Sequence, residues 1–396
     1  MTTPRMRRIV VVGNGIAGLT AADALRTLGF DGALTVVGDE AHAPYSRPAL
    51  SKAVLAQDGE PTAHLLPPPD HGGDERRGCS AVGVDPGARH VRLSDGSIVP
   101  YDGLVIASGS RARRLSASPR EVTLRSVDDA CALRARLADR PRVVVVGSGA
   151  LAMEVASGAV AAGCHVDVVV RRPAMSRHVG DMLSALLREG ASRAGVVFHG
   201  SAGTRIVDEP GAATVIVDDG TRLVAELVVS AVGDVANTGW LAGTGLLHGG
   251  LQRGGLLRGG ELHGGELHAD SRGRVAPGVV AAGDVAAYPA PGGPRRVPLW
   301  TNAIETAKVA AAGLLFGDAA PELDYQPYFW TEQFGMSLKV CGALPVEGDP
   351  AVHQGDLGER RAVLRWEHGD GTATAAALNL RIAVPRLRAL TAATAA

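Results

Sequence analysis

Four apolar residues near the start of the chain, Ile9 to Val12, run straight into a glycine turn at Gly13, Gly15 and Gly18. Behind the turn, Ile16, Leu19, Ala22 and Leu25 recur at spacings of three, the mark of a helix with one buried face. A second apolar run, Leu34 to Val37, ends in Asp39 and Glu40. The pattern predicts strand, turn, helix, strand. It recurs at Val143 to Val146, then Gly147-Ser148-Gly149-Ala150-Leu151-Ala152, a small-residue helix to about Ala162, and a strand at Val166 to Val170. The two turns lie about 134 positions apart, which means two dinucleotide sites or one fold duplicated.

Between and after these units the pattern is mixed. Pro44-Tyr45-Ser46-Arg47-Pro48 predicts an extended stretch, with a short helix near Ala49. Residues 57–78 are rich in proline, glycine and charge and read as a mobile surface loop. Strands are expected at Ala81–Val84, His90–Leu93 and Leu104–Ala107, with a turn at Asp95-Gly96. A helix is expected over Ser126–Arg136, with Ser126 and Asp128 as candidate caps. Val215–Val217, Asp219-Gly220 and Leu227–Val232 read as a hairpin and a returning strand. Residues 246–270 hold a five-residue repeat, LLHGG LQRGG LLRGG ELHGG ELHAD, whose glycines cannot build a core; it reads as a surface insertion. Order resumes at Pro277–Val285, a helix spans about Asn302–Leu315, and strands follow near Ser337–Val340, Ala362–Trp366 and Ala373–Asn379.

Length and composition narrow the classes. A chain of 396 residues with 46% apolar content buries a large core in two or three domains. No apolar run approaches the ~20 residues of a membrane span. The basic start, MTTPRMRR, leads into a core strand and not into a secretory segment. A formal net charge of −1 points to no nucleic-acid partner. The four cysteines, Cys79, Cys131, Cys164 and Cys341, form no close pair, which argues against a disulfide scaffold, a metal site and a dithiol centre. A soluble protein of the reducing cytoplasm fits.

The order of the first unit suits a dinucleotide. Gly13 permits the tight turn, Gly15 lets backbone approach a pyrophosphate, and Gly18 lets helix and strand pack. The phosphate charge meets the helix amides and the positive end of the helix dipole. Asp39 and Glu40 fall about 20 residues beyond the turn, where a carboxylate takes a ribose hydroxyl.

Further segments carry a family resemblance. GNGIAG with VGDE resembles the FAD turn of the two-dinucleotide flavoprotein reductases, and within them of the ferredoxin reductases that serve Rieske oxygenases and cytochromes P450. PYSRPALSK resembles their P-Y-x-R-P-P-L-S-K segment, with Ala49 for a proline, and LVIASGSRARRL resembles L-V-I-A-T-G-x-R-P-R, with Ser108 for threonine. VVAAGDVA, LWTNAIETAKVAA and YFWTEQFGMSLKVCG resemble the ribityl motif, the W-x-N-A helix and the start of the C-terminal domain. Ala236 before Asn237 and Pro298-Leu299 before Trp300 depart from the family pattern.

The resemblance implies an α/β fold: two Rossmann-like three-layer dinucleotide-binding domains plus a small α+β C-terminal domain. It implies FAD-binding segments at 1–115 and 235–322, a nicotinamide domain at 116–234 and the C-terminal domain at 323–396. It implies that Gly13, Gly15, Ala17 and Gly18 line the FAD pyrophosphate and that Asp39, with Glu40, meets the ribose. Arg47, Val82, Ala107, Ser108, Gly109, Arg125 and Gly233 belong to the implied cofactor-binding set. Gly283 belongs to the same set and Asp284 goes to the ribityl chain, although Gly-Asp also suits a helix cap. Trp300 is implied at the pyrimidine edge and Trp330 at the flavin or nicotinamide region. Gly147, Gly149, Ala150 and Ala152 form the implied nicotinamide-nucleotide turn. Lys52 and Glu154 are implied as the reactive pair at flavin N5. Asp102, His165 and His178 read as structural or solvated.

The implied chemistry takes a hydride from a nicotinamide and delivers single electrons to an iron–sulfur ferredoxin, with FAD as converter and no resident metal. Where an NAD enzyme places an acid after the second unit, this chain places Arg171-Arg172, which suits a 2′-phosphate; NADPH is therefore expected over NADH, with NAD still possible. Arg111, Arg113 and Arg114, and Arg381, Arg386 and Arg388, are candidate docking charges for an acidic ferredoxin. A flavin oxidase or monooxygenase, and a flavoprotein that senses NAD(P)H, remain as alternatives.

Overall fold

The computed structural model describes residues 6–56, 64–247 and 267–392. Apart from its ends, the five-residue repeat lies outside the described residues. The chain divides into two compact units: Met1–Ser46, His64–Arg111 and Val235–Tyr325 form one, and Arg47–Ala63, Ala112–Asp234 and Gln326–Ala396 the other.

The first unit is built on a six-stranded sheet. Its order is Arg274–Ala276, Val279–Ala281, Gly103–Ile106, Arg8–Val12, Ala33–Val37, Asp74–Arg76. The strands at 8–12, 33–37, 74–76, 103–106 and 279–281 run parallel, with Val10 opposite both Thr35 and Leu104. A parallel strand covered on both faces is apolar throughout, which is why Ile9 to Val12 carry no alternation. Ile9 and Val11 enter the core beneath the Ile16–Thr27 and Trp300–Phe316 helices, with Leu25, Val36, Ala307 and Ala310. Val10 and Val12 enter the opposite core, beneath the antiparallel strands 81–85, 90–93 and 98–100, with Val91, Leu93 and Val99. Helix, sheet and small sheet make three layers.

The stretch 57–78, expected as a mobile loop, is corrected over its second half. Asp74–Arg76 forms the edge strand beside Thr35–Val37, and His71 is buried. Residues 57–63 lie outside the described residues. The strand was hidden because Asp-Glu-Arg at a sheet edge shows no apolar signal; its charges are met by close partners, Glu75 by Arg77 and Arg76 by Asp74. Near Ala49 the chain makes a 3-10 turn at Arg47–Ala49, and the short helix begins only at Ala53.

The second unit holds the repeat of the opening pattern. Its five-stranded parallel sheet runs Val197–Gly200, His165–Val170, Arg142–Val146, Leu227–Ser230, Glu121–Val122. The returning strand ends at Ser230, short of the expected Val232. The Val127–Leu137 helix is closed by a capping box: Ser126 accepts from the Asp129 amide while the Asp129 carboxylate accepts from the Ser126 amide. Ser126 is thus the cap, and Asp128 is not. A three-stranded antiparallel meander covers 204–209, 212–217 and 222–225. Residues 328–378 form a second five-stranded sheet, antiparallel, in the order 328–333, 336–341, 373–378, 361–367, 351–356, with a short helix at Val384–Ala389. The pattern had missed the Asp181–Arg193 helix and the strands at 197–200, 204–209, 328–333 and 351–356. Among the described residues no helix is long and apolar enough to cross a membrane.

Candidate functional site

At the first glycine turn the backbone leaves no room for side chains. Gly13 sits at φ +113°, and a Cβ there would lie 2.1 Å from the Ala107 carbonyl oxygen. A Cβ on Gly18 would lie 1.7 Å from the Gly13 carbonyl oxygen. Helix and both strands therefore meet at van der Waals contact only because these residues are glycine. Gly15 differs: a Cβ there meets nothing within 4 Å. It opens the Ile16–Thr27 helix, whose first amides receive no side-chain cap. Open space before bare amides is a cradle for an anion, and these residues fit the pyrophosphate of FAD. Ala17 packs beneath Gly283, where a Cβ would come within 2.8 Å of the Ala17 methyl.

The other expected residues of the first unit are placed as follows in the fold. Ser108 and Asn237 are cross-linked: Ser108 Oγ donates to the Asn237 carbonyl at 2.8 Å, and Asn237 Nδ2 to the Ser108 carbonyl at 3.0 Å. The Gly109 carbonyl accepts from the Asn237 amide. Asp284 lies inside a 3-10 turn at 283–285 and caps no long helix; Ser110 Oγ is 3.5 Å from its carboxylate, and Arg296 Nε donates to its carbonyl. Glu40 accepts a short hydrogen bond from the Tyr45 hydroxyl, while Asp39 is exposed. Trp300 opens its helix, half-buried. Val82 turns its side chain to solvent, 52% exposed. Asp102 is structural as expected: it accepts from the Arg8 guanidinium, and then from the Arg7 and Arg8 amides, which together hold its carboxyl below the usual range.

The second turn repeats the first with two changes. Gly147, at φ +148°, would place a Cβ 2.3 Å from the Ala231 carbonyl, just as Gly13 does against Ala107. Gly149 begins the Ala150–Ala161 helix, again without a side-chain cap. Ala152 stands where the first turn has Gly18. The other change is His178: its Cε1 lies 3.3 Å from where a Gly149 Cβ would be. The Met175 amide donates to the Ser148 carbonyl at 2.7 Å and ties this segment to the turn. His178 was read as structural or solvated; the residue is exposed as a whole, but its imidazole lies against the turn and near the Phe329 ring, and desolvation there pushes its pKa down. Folding through the left-handed Met175 brings it there, and nothing in the local pattern announces it. Arg171 and Arg172 are exposed just past the His165–Val170 strand and make no ion pair among the described residues. Gly233 accepts from the Arg113 amide at φ +104°.

The same unit brings Lys52 and Glu154 together. Lys52 Nζ donates to Glu154 Oε2 at 2.8 Å and to the Pro48 carbonyl at 3.2 Å. Ser51 Oγ also donates to Oε2, and Thr331 Oγ1 to Oε1 at 2.7 Å. Glu154 is 4% exposed, so its charge depends on these donors. Lys52 Nζ stands 5.7 Å from the Trp330 ring centroid, and Trp330 stacks on Tyr328, whose phenol is pushed up by burial. Arg47 donates to the Arg125 carbonyl at 2.9 Å. Sequence reasoning had named Lys52, Glu154 and Trp330 but missed Ser51 and Thr331.

The profile of the pyridine nucleotide-disulphide oxidoreductases matches residues 7–307. The chain belongs to this family. It is thus an oxidoreductase of two-nucleotide design. Among similar members is the ferredoxin–NAD(+) reductase component of the p-cumate 2,3-dioxygenase system of Pseudomonas putida, 33% identical over 92% of this chain and 85% of its own. Rhodocoxin reductase of Rhodococcus erythropolis is 33% identical over 88% of this chain and 81% of its own. Among solved structures, the ferredoxin reductase for the CYP199A2 system of Rhodopseudomonas palustris is 29% identical with a TM-score of 0.82, covering 94% of this chain and 91% of that one. The reductase in a covalent putidaredoxin reductase–putidaredoxin complex is 26% identical with a TM-score of 0.79, covering 94% and 90%. The family name notwithstanding, all four cysteines of this chain are free.

Proposed function

We propose that this oxidoreductase is an FAD-dependent ferredoxin reductase of an oxygenase system, drawing electrons from NADPH in preference to NADH. The observation that carries the reading is Lys52 paired with the buried Glu154 in a chain that repeats a glycine cradle and has only free cysteines. A disulfide reductase needs a thiol pair, so electrons leave by another route. The similarity to reductase components named for ferredoxin, rhodocoxin and putidaredoxin supports an iron–sulfur partner. Free cysteines suit a reducing compartment such as the cytoplasm.

When bound, FAD accepts a hydride pair and releases electrons singly. In this reading the chain's residues bind, orient and balance charge. Gly13, Gly15, Ala17 and Gly18, with Asp39, Glu40, Ser108, Gly109, Gly283, Asp284 and Trp300, hold FAD. Gly147, Gly149, Ala150 and Ala152 hold the nicotinamide nucleotide. Lys52 would offer positive charge to a reduced flavin, and Glu154 would hold that charge while the flavin is oxidised. Trp330 shields the pair. Arg171 and Arg172 present guanidinium groups for a 2′-phosphate; this departs from relatives named as NAD(+) reductases.

Cytochrome c reduction by NADPH, measured with and without an added ferredoxin, tests the reading. Strong dependence on ferredoxin is expected. Fast peroxide formation without it would instead make the protein an oxidase, and very slow flavin reduction would make it a sensor.

A further inference from the structure

Glu154, Ser157 and Gly158 lie on one face of the Ala150–Ala161 helix, and two segments remote in sequence, 51–55 and 331–334, converge on it. Leu55 packs against Gly158, where a Cβ would meet Leu55 Cβ at 3.3 Å. Ser157 Oγ accepts from the Phe334 amide at 2.7 Å, and Glu154 accepts from Thr331 at 2.7 Å and from Ser51 and Lys52. Thr331 is fully buried, and Gln333 Nε2 donates to its Oγ1 at 3.1 Å. That donation commits the Thr331 proton to Glu154. The Gln333 Oε1 is itself buried, with no hydrogen-bond partner among the described residues. Among the described residues the two oxygens of Glu154 thus have different partners: Oε2 is shared by Lys52 and Ser51, and Oε1 accepts from Thr331.

We propose that Thr331 is a positioning residue for the reactive pair. Its hydroxyl, oriented by Gln333, keeps Glu154 ionised and in place through Oε1, so that Lys52 can leave Oε2 without stranding a bare buried carboxylate. A buried carboxylate that loses its cation must otherwise take up a proton or move. With Thr331 and Ser51 still donating, Glu154 remains charged and draws Lys52 back afterwards. The strand Tyr328–Gln333 therefore governs the pair from the C-terminal part of the chain. This rests on the reading of Lys52 and Glu154 as the reactive pair.

The test is an infrared pH titration of the Glu154 carboxyl in the full-length apoprotein. The band of its protonated form is assigned by its loss in Glu154→Gln. Thr331→Val is isosteric and removes the donor; the band is expected to titrate about one pH unit higher. Thr331→Ala, as a second variant, is expected to do the same, and Thr331→Ser to return the titration to wild type. In the FAD-loaded protein the acid limb of flavin reduction by nicotinamide nucleotide moves with the band. An unshifted titration overturns the proposal. So does a shift that serine fails to reverse, because then only packing was lost. Lys52→Met separates the two readings. If it leaves flavin reduction unchanged, the pair is not reactive and this inference falls with that reading. If it slows reduction while Thr331→Val leaves the titration unmoved, this inference alone fails.

Discussion

Lys52 Nζ lies 2.8 Å from Glu154 Oε2, although 102 positions separate the two residues along the chain. One residue comes from the segment before a short helix and the other from the helix behind the second glycine turn. A hydrogen bond between charged groups is worth roughly 1.5–3 kcal/mol, a factor of about 10 to 150 in rate or affinity. Glu154→Gln keeps the shape and removes the charge. It is expected to slow flavin reduction by about that factor in stopped-flow traces, with little change in FAD content.

The two glycines that frame the first turn are expected to fail differently. Gly13→Ala places a methyl against the Ala107 carbonyl at a positive φ, so the apoprotein itself should melt at lower temperature. Gly15→Ala adds a methyl into open space at φ −86° and should leave apoprotein melting near wild type. Its FAD affinity should nevertheless fall, because the methyl takes the place of the approaching pyrophosphate. Isothermal titration with FAD and melting curves of both variants separate the cases.

Replacing Arg171 and Arg172 together by serine should cost NADPH about 10- to 150-fold in kcat/KM, the worth of a charge-assisted contact. NADH should change little. Equal losses for both coenzymes would show that the two guanidinium groups do not read the 2′-phosphate.

His178→Ala should raise KM for the nicotinamide nucleotide by about 2- to 12-fold, the worth of one ordinary hydrogen bond, with kcat unchanged. The ring faces Gly149, the residue of the second turn that corresponds to the open Gly15 of the first. Steady-state kinetics at saturating ferredoxin give both constants.

Thiol labelling should follow burial. Cys131 is partly exposed, whereas Cys79, Cys164 and Cys341 are buried. Burial pushes the Cys341 thiol up to about 11, so at pH 8 almost none is thiolate. Iodoacetamide with peptide mass mapping should mark Cys131 first and leave Cys341 unmodified until the protein is unfolded.

The sequence by itself determined the two strand–turn–helix–strand units and the candidate cofactor turns. Parallel strands buried on both faces must be apolar, and a backbone touching a neighbouring carbonyl must be glycine; both demands are written locally, at Ile9 to Val12 and at Gly13. It also pointed to Lys52 and Glu154 one at a time, through short segments that resemble a family. Only the tertiary structure decided what surrounds them. Ser51, Thr331 and Gln333 are ordinary polar residues whose importance lies in distance, since Thr331 reaches Glu154 across 177 positions. Edge strands such as Asp74–Arg76 and Ala351–Asp356 were invisible for a related reason: exposed backbone pairing asks no apolar pattern of its side chains. The strand Ala373–Leu378 is alanine-rich, a composition that favours helix, and becomes a strand because its neighbours on both sides pair with it. Contacts remote in sequence leave no periodic trace, so the shell around the reactive pair appears only when the chain is folded.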